Sequence, residues 1–280
     1  MLLSIDIGNS TIGLGLYPEA LRPEGLIINK IPIRPAGTAE SYKKTLAVFL
    51  RSAAGGVPEA GSWDAIISSV VPALTKPLSG IISELNGKKP LVVSHKIVTG
   101  LSFEVKDPKK AGADRIANAV AGLHRCKGPV AVIDFGTATT ITVVGNRRNF
   151  LGGAIFPGLH LMRRSLYAGT AKLPFVPLEK PLRAVGDDTV SSIAAGILFG
   201  TAGAVETITK RMEKELDFKL QLVLTGGHAE MMASCMSGRY ELVPALTFEG
   251  LRLIYIQNRP PCGAPARDGT SHVRPYAGRK

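Results

Sequence analysis

The chain has 280 residues, 45% hydrophobic and 20% charged, which is enough for two domains with their own cores and ordinary for a globular protein. No apolar run approaches the roughly 20 residues of a membrane helix, and the N-terminal apolar run lacks a basic leader and enters Asp6 directly, so it reads as a strand rather than a signal peptide. The formal charge is +12, but five Lys/Arg against one acid lie in residues 259–280, and the cluster Lys106, Lys109, Lys110 and Arg115 has no interleaved aromatics to stack on bases.

That distribution argues against a nucleic-acid partner; an anionic small substrate accounts for the cluster equally well. Cys126, Cys235 and Cys262 are scattered without paired spacing, which argues against a disulfide framework or zinc site and fits a reducing cytoplasm.

Taken in order, residues 2–8 and 11–17 form a predicted hairpin around Gly8-Asn9-Ser10, and Gly25–Pro35 adds a third strand. Thr38 caps a helix with Glu40 in its first turn and Tyr42, Leu46, Val48 and Phe49 as its apolar face. Asp64–Val71 reads as a short buried strand stopped by Pro72, a helix covers Leu74–Leu85, and Pro90–Ser94 is the next strand. Gly112–Cys126 is helical, with Ile116, Val120 and Leu123 on one face.

Strands follow near 129–135, 138–145 and 149–156. Gly152–Gly158 reads as a tight turn into a helix over 159–168, and Pro174, Pro177 and Pro181 mark a loop. A long helix covers 188–214, with Val190, Ile193, Ile197, Leu198, Ala204, Val205, Ile208 and Met212 inward. Its small residues Ala194, Ala195, Gly196, Gly200, Ala202 and Gly203 admit a close helix neighbour, either in a second subunit or in the same one. Leu220–Thr225 is a strand ending in Gly226-Gly227, a last helix runs over Thr247–Gln257, and the Pro/Gly/Arg-rich tail after Arg259 reads as disordered and non-catalytic.

The same order of strands and helices occurs twice, an α/β pattern with mixed sheets, and two such halves leave a cleft suited to a nucleotide. Each half opens with an apolar strand, an Asp-x-Gly turn and a second strand: Asp6-Ile7-Gly8-Asn9-Ser10-Thr11 in the first, Asp134-Phe135-Gly136-Thr137 in the second. Such a turn exposes backbone N–H groups, because glycine accepts positive φ and lets phosphate approach. Its carboxylate suits hydrated Mg²⁺, and Ser10, Thr11, Thr137, Thr139 and Thr140 add hydroxyls. The Gly226-Gly227 turn suits backbone packed beside an adenosine. Gly112-Ala113-Asp114-Arg115 opens a helix whose N-terminal N–H groups favour anions. Asp114 is either a first-turn acid stabilised by the helix dipole or a general base beside an Arg that pairs a carboxylate. The five histidines show no ligand spacing, and the P-loop, zincin, nucleophile-elbow and protein-kinase motifs are absent.

These residues resemble the type III pantothenate kinases of the acetate kinase/sugar kinase/heat-shock chaperone/actin superfamily. The matches run in family order: Asp6–Thr11, Ser68–Pro72, Gly112–Arg115, Asp134–Thr140, Gly152–Gly158, Gly186–Thr189 with Gly196, Thr225–Gly227 and Leu246–Leu251. The resemblance implies two related actin-like/ribonuclease H-like domains with mixed sheets flanked by helices, at 1–126 and 127–258, followed by a basic tail at 259–280. It implies ATP-dependent phosphorylation of pantothenate to 4'-phosphopantothenate, the first step of coenzyme A biosynthesis, in the cytoplasm. Asp114 would be the general base. Gly112, Ala113, Asp114 and Arg115 would contact pantothenate. Asp6, Ile7, Gly8, Asn9, Ser10, Thr11, Ile12 and Gly13 would form the first phosphate loop, with Asp6 near Mg²⁺, and Thr137 would contact ATP. Asp134 would bind K⁺ or NH₄⁺. Thr189 would reach pantothenate across a homodimer.

The chain departs from the family pattern at Ser10 and Thr11, where Thr and Asn are usual, at Val105, where many members have Tyr, and at Thr142, where Asp is common. The same scaffold also carries accessory proteins linked to transcription and kinases of other small alcohols, which are the alternative readings.

Overall fold

In the computed structural model of the chain, the described residues are 1–19, 22–33, 38–56, 58–179 and 183–259. The tail beyond Arg259 therefore lies outside the described residues.

The first half opens with β1 (Leu2–Ile7), β2 (Thr11–Tyr17) and β3 (Ile27–Pro32), an antiparallel meander. The helix α1 (Ala39–Ala53) follows, then β4 (Asp64–Ser69), α2 (Pro72–Asn86) and the short β5 (Leu91–Val92). β4 pairs parallel with β1, so the sheet order is β3-β2-β1-β4-β5.

After β6 (Ser102–Phe103) and α3 (Ala113–Arg125), the second half repeats the plan. The strands β7 (Val130–Phe135), β8 (Ala138–Val144) and β9 (Asn149–Pro157) form its meander. The helices α4 (Leu159–Gly169) and α5 (Thr189–Leu216), strand β10 (Gln221–Thr225), helix α6 (Ala229–Ala233), strand β11 (Glu241–Leu242) and helix α7 (Leu246–Asn258) complete it. Its order is β11-β10-β7-β8-β9-β6. Both sheets place the third, second and first strands of a meander beside two later parallel strands. The architecture is thus the expected α/β one, two related actin-like halves with mixed sheets and flanking helices.

Burial follows from the strand pattern. Leu3, Ile5 and Ile7 face α1 and α2, whose Leu46, Phe49, Leu78 and Ile82 cover them. The opposite face of that sheet, with Leu2 and Tyr17, packs on Ile116 and Val120 of α3 and on Leu251 and Ile254 of α7. The far side of α3 buries Ala119 and Ala121 against Val130, Val132 and Val144 of the second sheet. α4, α5 and α6 cover that sheet's outer face. The result is five layers with α3 and α7 in the middle. Two segments cross between the halves: β6 pairs with β9, and α7 returns to pack on β1 and β4.

Several boundaries differ from expectation for local reasons. Pro72 does not merely stop β4; it begins α2, where its missing N–H has no intrahelical partner to lose. Val48 is 67% exposed rather than inward, and Leu50 takes its place in the core. Gly152 and Gly153 are not a turn. They sit inside β9 with φ of 97° and 142°, next to a break in register opposite Val143 and Val144. A side chain on Gly153 would overlap the Ile141 carbonyl, so the strand bends there only because Cβ is absent.

The helix α5 begins at a capping box in which Asp188 and Ser191 each hold the other's backbone. It is long and apolar enough to cross a membrane by length and composition, yet half of that window is buried against the second sheet. Ile193, Ile197, Leu198, Ala202 and Val205 point inward, while Val190 and Gly196, Gly200 and Gly203 lie on the exposed side.

Candidate active site

The chemistry-bearing residues meet where the two sheets end. Asp6 lies near the end of β1, Ser68 near the end of β4 and Asp134 near the end of β7, and Thr225 closes β10. In open α/β sheets a ligand lies outside the carboxyl ends of the strands. A cleft of about 180 Å³ opens there, lined from the first half by Asp6, Gly8, Asn9, Thr11 and Gly13, and from the second by Asp134, Gly136, Thr137 and Thr140. Gly226 and Gly227 line it too, and Asp114 reaches it from the first turn of α3. Ser10 and Thr137 join the two hairpins directly, hydroxyl to hydroxyl at 2.8 Å.

The hairpin glycines work differently from the sequence expectation. Neither Gly8 nor Gly136 has positive φ, and each spends its own N–H inside its turn, on Thr11 and Ala138 respectively. Room is tight at position 8, where a Cβ would stand 3.3 Å from the Thr11 carbonyl, whereas one at position 136 would meet Asp134 Oδ1 only at an ordinary contact distance of 3.4 Å. Positive φ occurs instead at Gly226, 98°, where a side chain would run into the Asp134 carboxylate. Ile7 and Ile12 point into the core, so they offer the cleft only backbone. Thr139 is fully buried and does not line the cleft.

Three carboxylates share this small volume. Burial pushes Asp6 up to about 7, and the charges of Asp114 and Asp134 push it the same way. Its Oδ1 is buried without a hydrogen-bond partner. The Ser68 hydroxyl lies near enough to favour the charged form but outside bonding geometry, so it too is left unpartnered. Burial raises Asp134 to about 6, helped by the charge of Asp114 and opposed by a 3.0 Å hydrogen bond from Asn118 Nδ2 to Oδ2. Asn118 is held in turn by the Thr247 hydroxyl on its Oδ1, at 2.8 Å, so α7 orients the group that orients Asp134. Burial also raises Asp114, against the Arg115 backbone N–H that donates to its Oδ1 at 2.7 Å. Carboxylates raised by desolvation and by one another call for a cation. Among the described residues no group of three or more His, Cys, Asp or Glu forms a ready-made metal cage. An unpartnered buried Asp6 oxygen suits Mg²⁺, which takes one or two carboxylates and completes its shell with water and phosphate.

Gly112 is required by packing, since a Cβ there would stand 2.5 Å from Asp114 Oδ1. Ala113 is buried in the central layer. Arg115 does not point into the cleft beside Asp114. Its Nε donates to Thr142 Oγ1 at 2.9 Å, and its guanidinium lies 5.5 Å from the Phe150 ring centre. The Thr that departs from the family pattern is therefore this arginine's partner. Val105 packs against the buried β7–β9 cluster. Thr189 lies away from the cleft, in a hollow of about 930 Å³ that it shares with Met162, Leu166, Gly186, Ser192 and Gly196.

Four contributors carry no role in the sequence reading: Lys30, Ser68, Asn118 and Thr247. Asn118 had a signal, four residues after Asp114 and hence on the same helix face. The others depend on strand and helix partners far away in the chain.

A family model described as type III pantothenate kinase matches residues 2–211. The type III pantothenate kinase of Geotalea uraniireducens is 39% identical over 260 residues, covering 92% of this chain and 99% of its own. That of Moorella thermoacetica is 37% identical over 260 residues, covering 92% of this chain and 100% of its own. The chain belongs to the type III pantothenate kinase family. Membership matches the motifs that converge on the cleft. The fold alone extends further. A solved Baf-family transcriptional activator from Campylobacter jejuni shares it at a TM-score of 0.59 and 18% identity, over 91% of this chain and 98% of that one. So does component A of (R)-2-hydroxyglutaryl-CoA dehydratase from Acidaminococcus fermentans, at 0.52 and 13%, over 91% and 96%.

Proposed function

We propose that this member of the type III pantothenate kinase family transfers the terminal phosphoryl group of ATP to the primary hydroxyl of pantothenate, opening coenzyme A biosynthesis. The observation that carries the reading is the convergence of Asp114 with both phosphate hairpins in one cleft. Phosphoryl transfer asks a protein mainly for positioning and charge neutralisation. In this reading the first hairpin, Asp6 to Gly13, and Thr137 hold the triphosphate. Asp6 is the residue to hold Mg²⁺, which would supply charge neutralisation on the phosphates. Asp134, oriented by Asn118, holds K⁺ or NH₄⁺.

Asp114 takes the hydroxyl proton as the oxygen bonds to phosphorus. Burial raises its affinity for that proton, while the α3 N-terminus keeps the ionised form accessible before transfer. Gly112 and Ala113 shape the approach of pantothenate. Arg115, tied to β8, acts at the wall of the substrate pocket rather than across the cleft.

Thr189 reaches pantothenate only if delivered by a neighbour, because it does not line this chain's cleft. The reading therefore includes a homodimer in which Thr189 of the partner subunit completes the site. The outward Gly196, Gly200 and Gly203 of α5 support it, since a Cβ at any of them would meet nothing within 4 Å and another helix can come close. Free thiols at Cys126 and Cys235 are consistent with the cytoplasm as the place of reaction.

The test is ADP release by the full chain with ATP, Mg²⁺ and K⁺, with and without pantothenate, alongside Asp114→Asn. Pantothenate-dependent release is expected, with turnover down about 10²- to 10⁴-fold in the variant while ATP binding and fold persist. Turnover in the variant close to that of the unmodified chain would sink the assignment of the base. Turnover with another alcohol in place of pantothenate would sink the substrate.

A further inference from the structure

Ser68 of β4, Asp6 of β1, Gly13 of β2 and Lys30 of β3 are direct partners across four neighbouring strands. Cross-strand partners present their side chains to the same face of a sheet. The row therefore starts at the unpartnered Ser68 and Asp6 oxygens and ends on a lysine, with a residue lacking a side chain between. We infer that Lys30 binds the terminal phosphoryl group of ATP and neutralises its charge during transfer, an assignment that rests on the kinase reading above.

Two strand spacings, ~10 Å, separate the Asp6 and Lys30 backbones. A lysine stem spans the greater part of that gap. The Phe248 ring of α7 covers Gly13, its tip 2.9 Å from where a Cβ would stand, and lines the cleft together with Lys30. Lys30 lines the same cleft as Asp6, Asp114 and Asp134 and is the cation among its described lining residues. Its charge is felt by Asp6 in the first half and by Asp134 and His228 in the second. The ammonium thus faces the gap between the two hairpins rather than the outer edge of the sheet.

The repeat supplies an internal comparison. The equivalent row in the second sheet is Thr225, Asp134, Thr140 and Ile155. It ends on an isoleucine that is 62% exposed, so the fold itself does not require a cation at that place. The difference lies where a triphosphate would be handled by one half more than by the other. An ammonium on an exposed edge strand is a compact, strongly hydrated point charge suited to phosphate oxygens.

In the transfer, the pantothenate hydroxyl oxygen forms its bond to the γ-phosphorus. The bond from that phosphorus to the bridging oxygen breaks, and its electron pair stays on ADP. The hydroxyl proton goes to Asp114. Lys30 keeps all its protons; its contribution is charge held in place before and during the step.

The experiment compares the full chain with Lys30→Met and Lys30→Arg. Calorimetric titrations with Mg·ATP and with Mg·ADP, without pantothenate, accompany kcat and KM from ADP release and thermal unfolding as a check on folding. Lys30→Met is expected to weaken ATP about tenfold and ADP far less. Its kcat is expected to fall about 10²-fold with KM for pantothenate unchanged, and Lys30→Arg is expected to recover most of both losses. Unchanged ATP affinity and kcat in Lys30→Met would overturn the inference. So would equal loss of ATP and ADP binding that arginine does not restore, which marks a structural lysine. If the unmodified chain releases no ADP with pantothenate, the kinase reading fails, while the ATP-against-ADP comparison still decides the role of Lys30.

Discussion

Asp6 carries an electrostatic cost that should be visible in solution. Its ordinary range is near 3.8, and burial with two neighbouring carboxylates takes it to about 7. As pH rises above 3.8, the unfolded chain gives up this proton readily, while the folded protein resists until about 7. Folding stability in metal-free buffer therefore falls as pH rises through that window and levels off above it. The ceiling is about 1.4 kcal/mol per pKa unit, and water in the open cleft brings it lower. Urea unfolding at pH 5 and pH 8 should show Asp6→Asn losing roughly 1–3 kcal/mol less than the unmodified chain over this interval. Identical pH dependence in the two would refute the buried, uncompensated carboxylate. The aspartates themselves were legible from spacing alone, because an Asp-x-Gly turn repeated at domain separation is visible in one dimension. Ser68 and Lys30 were not, because what brings them to Asp6 is strand register.

At the scale of elements, the close crossing of α3 and α7 holds the site together. Gly250 of α7 lies so near the Ala117 carbonyl of α3 that any side chain would overlap it. Gly250→Ala should force the helices apart and cost about 1–3 kcal/mol in urea unfolding. Turnover should fall as well, because α3 carries both Asp114 and Asn118, and Thr247 at the start of α7 steadies Asn118. Gly80 is the contrast. It sits exposed in α2 with nothing within 4 Å of a Cβ, and alanine there should stabilise by roughly 0.5–1 kcal/mol. Similar effects from both substitutions would show that the crossing does not depend on a bare backbone. The helices and meander strands were readable from their periodicity, down to the cap at Thr38. The bulge at Gly152-Gly153 was mistaken for a turn because a glycine pair signals either, and the opposite strand decides which.

For the whole molecule, the exposed glycine side of α5 is the feature on which the proposed dimer stands. Gly200→Arg should leave the fold unchanged, since a Cβ there meets nothing within 4 Å. It should place a bulky charge where a second helix would pack. Light scattering is expected to report a dimer for the unmodified chain and a monomer for the variant, with turnover lost because Thr189 no longer reaches a partner's site. A variant that stays dimeric and active would remove α5 from the interface.

What the sequence by itself determined about this protein is local: the repeated Asp-x-Gly hairpins, the Gly-Ala-Asp-Arg helix start, the order of elements and the family they mark. These rest on interactions between residues a few positions apart, where side-chain period, glycine and capping groups act directly. Only the tertiary structure decided that Asp6, Asp114 and Asp134 press on one another's ionisation and that Arg115 turns away to Thr142. It also decided that Lys30 stands in line with Asp6 and that Thr189 lies outside the cleft. Those outcomes depend on through-space distance across strands and helices, and distance of that kind exists only once the chain has folded.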